Sequence, residues 1–120
     1  MKKSLIQQLK EGYVVLETDA VKIPHFAKSK SERHRLIFDG KVQGVGFRLV
    51  VKTMAKRMHL TGWVKNLADQ SVEVVIQGPQ KCINFMENYL EHGVQRIKVA
   101  SVKDDTLNLS NQEHDFQIVK

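Results

Sequence analysis

At Phe47 the apolar pattern of this chain changes period, and that switch limits the possible folds more than any other feature. His34–Val42 reads as a strand that runs into a glycine-rich loop. From Phe47 onward, Phe47, Val50, Val51, Met54, Ala55 and Met58 fall on one face of a helix, with Lys52, Lys56 and Arg57 on the other. Gly62 is expected to end that helix, and Trp63–Asn66 begins a new strand. Ala68–Ser71 reads as a turn before the β-branched run Val72–Ile76, so the two strands form a hairpin. Pro79 suits the first position of a second helix, where its missing N–H leaves nothing unpaired. Cys82, Ile83, Phe85, Met86, Tyr89 and Leu90 give that helix its apolar spacing, with Gly93 as its stop. A further strand is expected over Arg96–Lys103, then a polar loop over Asp104–Asp115 and a short closing strand over Phe116–Val119.

The resulting order is β-α-β-β-α-β plus a closing strand. That is an α+β, ferredoxin-like split βαβ arrangement, with two helices packed on one face of an antiparallel sheet. Residues 34–120 form this domain, and residues 1–33 form an N-terminal extension. Within the extension, Leu5–Leu9 reads as a short helix, Tyr13–Thr18 as a strand and Lys28–Arg33 as a linker. Its role is open among an added edge strand, a dimer contact and a mobile arm.

A chain of 120 residues holds one ordinary domain. At 42% hydrophobic and 27% charged residues it has the balance of a globular protein, and no apolar run is long enough to cross a membrane. Leu5, Ile6 and Leu9 are interrupted by Gln7 and Gln8, so the N-terminus does not read as an export signal. Cys82 is the single cysteine, which excludes an internal disulfide, and a cytoplasmic location is the default expectation. The net charge of +6 asks for an anionic partner without naming one. Residues 1–33 carry seven Lys/Arg against four Asp/Glu and residues 34–120 carry twelve against nine, so no basic tail exists. The five histidines show no ligand spacing, and no metal site is expected.

The chemically informative stretch lies between the first strand and first helix. Glycines 40, 44 and 46 let the backbone approach a ligand, and successive N–H groups there can form an anion-binding nest. The helix that follows adds unpaired N–H groups and the positive end of its dipole. The loop lacks the Gly-Lys-Ser/Thr ending of a nucleotide P-loop, and Leu49 stands where a dinucleotide fingerprint needs its third glycine. Arg48 is a cation in the first helical turn, where it opposes the dipole. Its placement makes sense if a dianion sits between it and the loop amides, since its planar fork suits a phosphoryl group. The other reading is an arginine facing solvent or an acidic neighbour. Asn66 works against strand propensity, and its carboxamide can hold a water nucleophile; a turn-entry asparagine is an equal reading of the same spacing.

Gly40–Arg48, then Thr61–Asn66, then Asp69–Val74 together resemble the acylphosphatase family, over about His34 to Val119. The resemblance implies a ferredoxin-like fold, hydrolysis of small-molecule acyl phosphates, and no metal or other cofactor. It assigns phosphate binding to Arg48 with the loop residues Gln43, Gly44, Val45, Gly46 and Phe47, and orientation of the attacking water to Asn66. Family members usually carry Asp-Gly in the hairpin turn where this chain has Asp69 and Gln70, which is expected to change the turn but remove no catalytic group. A monomer is expected, with no nucleic-acid or membrane partner. The alternatives are a phosphate sensor that lacks turnover, or an RNA-binding ferredoxin-like module. The latter needs exposed aromatics on central strands, and Val72–Ile76 has none.

Overall fold

The computed structural model describes residues 3–120; residues 1 and 2 of the N-terminal extension lie outside the described residues. The elements are α1 (Leu5–Asp19), β1 (Ser31–Lys41), α2 (Phe47–Arg57), β2 (Thr61–Asn66), β3 (Val72–Pro79), α3 (Gln80–His92), β4 (Lys98–Leu107) and β5 (Phe116–Ile118). From β1 to β4 this is the expected β-α-β-β-α-β order, with β5 as the closing strand. The sheet order is β4-β1-β3-β2-β5. The first four strands pair antiparallel, but β5 runs parallel to β2, so the sheet is mixed rather than wholly antiparallel.

The core lies between one face of the sheet and helices α2 and α3. Leu36 and Phe38 from β1, Val64 from β2, and Val72, Val74 and Ile76 from β3 meet the apolar stripes of both helices. Each large side chain fully buried here contributes about 1.5–3 kcal/mol relative to exposure. Phe38 packs against Phe47 with ring centroids 5.1 Å apart, which fixes the first turn of α2 against the strand that precedes it.

Several boundaries differ from the sequence expectation. Residues 5–19 form one continuous helix, not a helix and a strand. Val14 is buried, and the Thr18 hydroxyl donates back to the Val14 carbonyl at 2.9 Å, so two β-branched residues are held helical by packing and a local bond. β1 begins at Ser31, so Ser31–Arg33 pairs with β3 rather than serving as linker. Helix α2 ends at Arg57, before Gly62: His59 takes a left-handed φ of 57°, while Gly62 is buried in β2. A Cβ at Gly62 would lie 1.9 Å from the Val75 carbonyl oxygen, so the glycine permits close strand pairing. Pro79 is the N-cap of α3 and the last residue of β3, one place before the helix. β4 continues through Asp104–Leu107, which had read as loop; as an edge strand with one exposed face it accommodates a polar run.

Helix α1 lies against α2. The Arg57 guanidinium of α2 donates through Nη1 to the carbonyls of Thr18 (2.5 Å) and Val21 (2.8 Å). A cation there satisfies the end of α1 and complements its dipole. No described helix is long and apolar enough to cross a membrane.

Candidate active site

The loop after β1 is set by its backbone before any side chain is considered. Gly44 (φ 74°) and Gly46 (φ 80°) are both left-handed. Space does not require the first of them, since a Cβ at Gly44 would meet nothing within 4 Å; the backbone conformation does. Gly46 is the N-cap of α2 and supplies no side-chain acceptor, so the first amides of that helix remain free of a capping side chain. Arg48 follows, half-buried, and α2 has no acidic residue in its first turn. Among the described residues Arg48 forms no ion pair or hydrogen bond, so it has no acidic neighbour, and its half-exposed side chain reaches solvent.

A pocket of about 330 Å³ opens here, and its wall brings together Gln43, Gly44, Gly46, Phe47, Arg48 and Asn66. Asn66 arrives from the end of β2, and its Oδ1 is buried without a hydrogen-bond partner among the described groups. A buried acceptor of this kind calls for a donor. Gln43 has a second task. Its Nε2 donates to the carbonyls of Leu67 and Ser71, both at 2.9 Å, and so ties the loop to the turn after Asn66. Val45 is directed elsewhere: it lines a second cleft of about 450 Å³ with Leu9, Tyr13 and Arg96, and Gly44 and Gly46 border both. The larger cleft is mainly apolar, and the residues suited to phosphoryl chemistry lie in the smaller one. Trp63 is half-exposed and lines neither of these two pockets.

Three features were not legible in the sequence. Gln7 and Glu11 of α1 form part of the wall of the Arg48 pocket. The Glu11 carboxylate accepts from Lys3 Nζ at 2.7 Å in an exposed pair. Arg96, just before β4, donates through Nε to the Val45 carbonyl at 2.8 Å and grips Glu17 of α1 with both terminal nitrogens (2.5 and 2.9 Å). The hydrogen bonds to Glu17 raise the Arg96 pKa further above its usual value, so the group stays charged. No spacing rule joins residues 17, 45 and 96; only the fold does. Asp39, the acidic residue flanking the loop in sequence, is exposed in β1 and does not line the pocket.

Among the described residues no cluster of three or more His, Cys, Asp or Glu could hold a metal ion. Cys82 is half-buried against the core, and burial pushes its thiol pKa up, so it stays protonated and inert.

Residues 34–118 match the sequence model of the acylphosphatase family. An acylphosphatase of Rhizobium etli is 39% identical over 88 residues, spanning 73% of this chain and 94% of the relative. The crystal structure of an acylphosphatase from Bacillus subtilis superposes with a TM-score of 0.70 at 35% identity, covering 74% of this chain and 99% of that one. The structure of an acylphosphatase from Coxiella burnetii gives 0.69 at 32% identity, over 74% and 93% of the two chains. With one pocket holding the glycine loop, Arg48 and Asn66, and with relatives that match over nearly their whole length, the chain belongs to the acylphosphatase family.

Proposed function

We propose that this enzyme hydrolyses acyl phosphates with Arg48 and the amides of residues 43–47 holding the phosphoryl group and Asn66 holding the attacking water. The observation that carries the reading is that Asn66 and the unpaired guanidinium of Arg48 line one pocket with the glycine loop.

Water attacks phosphorus, the P–O bond to the acyl group breaks, and a carboxylate leaves. Its conjugate acid has a pKa of roughly 4, so departure requires no proton donor. The transition state is loose, with charge on the phosphoryl oxygens, so positioning and electrostatic stabilisation supply the catalysis. The uncapped start of α2, the left-handed glycines and Arg48 suit that task. The water's proton goes to a phosphoryl oxygen of the substrate. Among the described residues Glu11 is the one carboxylate on the pocket wall, and it is paired with Lys3.

Such a reaction involves neither a metal nor nucleic acid and is completed within one chain, as a monomer. The face of the sheet away from the helices supports this reading. There Arg35 of β1 pairs with Glu73 of β3, and Trp63 of β2 is the one aromatic among the described strand residues on that face, where RNA-binding sheets place several. The single cysteine is consistent with a cytoplasmic enzyme. A phosphate sensor has no use for a water-holding amide beside the phosphate.

Inhibition by orthophosphate separates the two roles. Arg48→Ala should weaken it strongly, whereas Asn66→Ala should leave phosphate affinity near wild type and lower kcat. Equal loss of phosphate affinity in both variants would overturn the division of labour.

A further inference from the structure

Arg96 contacts the proposed phosphoryl loop from behind. Its Nε donates to the Val45 carbonyl at 2.8 Å, and an ideal Cβ placed on Gly46 would lie 3.4 Å from its Nη2. The Val45 carbonyl and the Gly46 N–H belong to one planar peptide unit, and no peptide bond among the described residues is cis. In a trans peptide the two groups point in opposite directions. Holding the carbonyl toward Arg96 therefore aims the Gly46 N–H away from Arg96, and Gly46, which borders both clefts, lines the Arg48 pocket that Arg96 does not. A guanidinium on the carbonyl also polarises the peptide and strengthens its N–H as a donor.

Arg96 is itself held by α1, a helix outside the matched residues 34–118. Glu17 binds Nη1 at 2.5 Å and Nη2 at 2.9 Å, a two-point grip that fixes the guanidinium plane. The Tyr13 ring lies 5.5 Å from the guanidinium carbon and stacks against it. Lysine could bond one partner but not reproduce the fork that spans both.

We infer that Glu17 and Arg96 are positioning residues for catalysis, setting the Val45–Gly46 peptide so that its N–H faces the transferred phosphoryl group. The inference rests on the phosphoryl-loop reading above. The N-terminal helix is thereby part of the catalytic apparatus, linked to the loop through one arginine.

The test uses the full chain with Arg96→Gln, Arg96→Lys and Glu17→Gln. Steady-state kinetics on benzoyl phosphate would be measured beside the amide spectrum of ¹⁵N-labelled protein titrated with inorganic phosphate. Removal of one preorganised donor costs about 10²–10³ in rate. A misaimed but still present donor should lose less, so Arg96→Gln is expected to lower kcat/KM by about 10-fold and to weaken phosphate inhibition in parallel. The Gly46 amide shift on phosphate addition should shrink with it. Arg96→Lys should recover part of the loss, and Glu17→Gln should fall between Arg96→Gln and wild type. If Arg96→Gln does not fold, the lysine and Glu17 variants carry the test alone. Wild-type kcat/KM in a folded variant, or reduced kcat/KM with an unchanged Gly46 response, would overturn the inference. Both results would leave the loop reading intact as long as Arg48→Ala is inactive; a fully active Arg48→Ala would instead remove the reading on which the inference rests.

Discussion

The side chain of Gln43 reaches across from the glycine loop to the Leu67 carbonyl at 2.9 Å, and so links the proposed phosphate cradle to the turn that follows Asn66. The second bond, to the Ser71 carbonyl, makes this a two-point tie between the halves of the site. Each such bond contributes about 0.5–1.5 kcal/mol. Gln43→Ala should lower stability by about 1–3 kcal/mol and reduce kcat by misplacing Arg48 and Asn66 relative to each other. Gln43→Glu, which keeps the shape but removes the donor, should be no better. Thermal denaturation and kinetics on both variants check this; an alanine variant with wild-type kcat would show that the tie is only structural.

Substrate assistance is tested at two acidic residues, Glu11 on the pocket wall and Asp39 beside the loop in sequence. If a phosphoryl oxygen accepts the water's proton, Glu11→Gln and Asp39→Asn should each keep kcat within about twofold of wild type. Loss of a true general base would reduce the rate by about 10²–10⁴. A fall of that size in either variant assigns the proton to a side chain instead.

Gln70 adopts a left-handed φ of 77° in the turn between β2 and β3. Asp69 supports the turn by accepting from the Ser71 N–H at 3.1 Å and from the Ser71 hydroxyl, which lowers the Asp69 pKa. A left-handed non-glycine residue carries roughly 1–2 kcal/mol of strain, partly offset by the entropy a glycine loses on folding. Gln70→Gly should therefore stabilise the protein by about 0.5–1 kcal/mol and leave kcat unchanged. Chemical denaturation with matched m-values measures it, and a destabilised variant would show that the Gln70 side chain makes a compensating contribution.

His34 gives the fold a pH dependence of defined sign. Burial alone would lower its pKa, but hydrogen bonds to Asp104 (2.6 Å) and Glu32 (2.8 Å), with the charges of both carboxylates, raise it above 6.5. A raised histidine contributes stability that is fully present below the unfolded-state pKa and is lost as pH rises through the folded-state pKa. Glu87 of α3 is raised as well, by burial and then by the nearby charges of Asp104 and Glu91. Its effect has the same sign but begins lower, in the carboxylate range. Tm should thus fall as pH climbs from 6.5, and His34→Gln should flatten that part of the curve. An unchanged slope in the variant would place the dependence on other groups.

What could be read from sequence was whatever lies in one stretch of chain. The apolar spacing from Phe47 to Met58 located α2, and the nearby glycines with Arg48 marked the proposed anion loop, because helix period and backbone freedom are local properties. Asn66 was readable as a candidate but not decidable: its buried, unpaired Oδ1 depends on β2 ending beside the loop. Tyr13–Thr18 reads as a strand because its β-branched residues favour one, whereas the packing of Val14 and the bonds made by Thr18 and Arg57 hold it helical. The Asp104–Leu107 segment lacked a strand pattern because β4 lies at the edge of the sheet. Arg96 gave no signal at all, since its partners Glu17 and Val45 are distant in sequence.

The most direct measurement is phosphate release from benzoyl phosphate, with a chelator present, by wild type, Arg48→Ala and Asn66→Ala. Rapid release by wild type is expected, with a loss of at least about 10²–10³ in each variant, matching removal of a preorganised group from the transition state. No release by the folded wild type, or release that survives Arg48→Ala, would contradict the assignment of phosphoryl transfer to this loop.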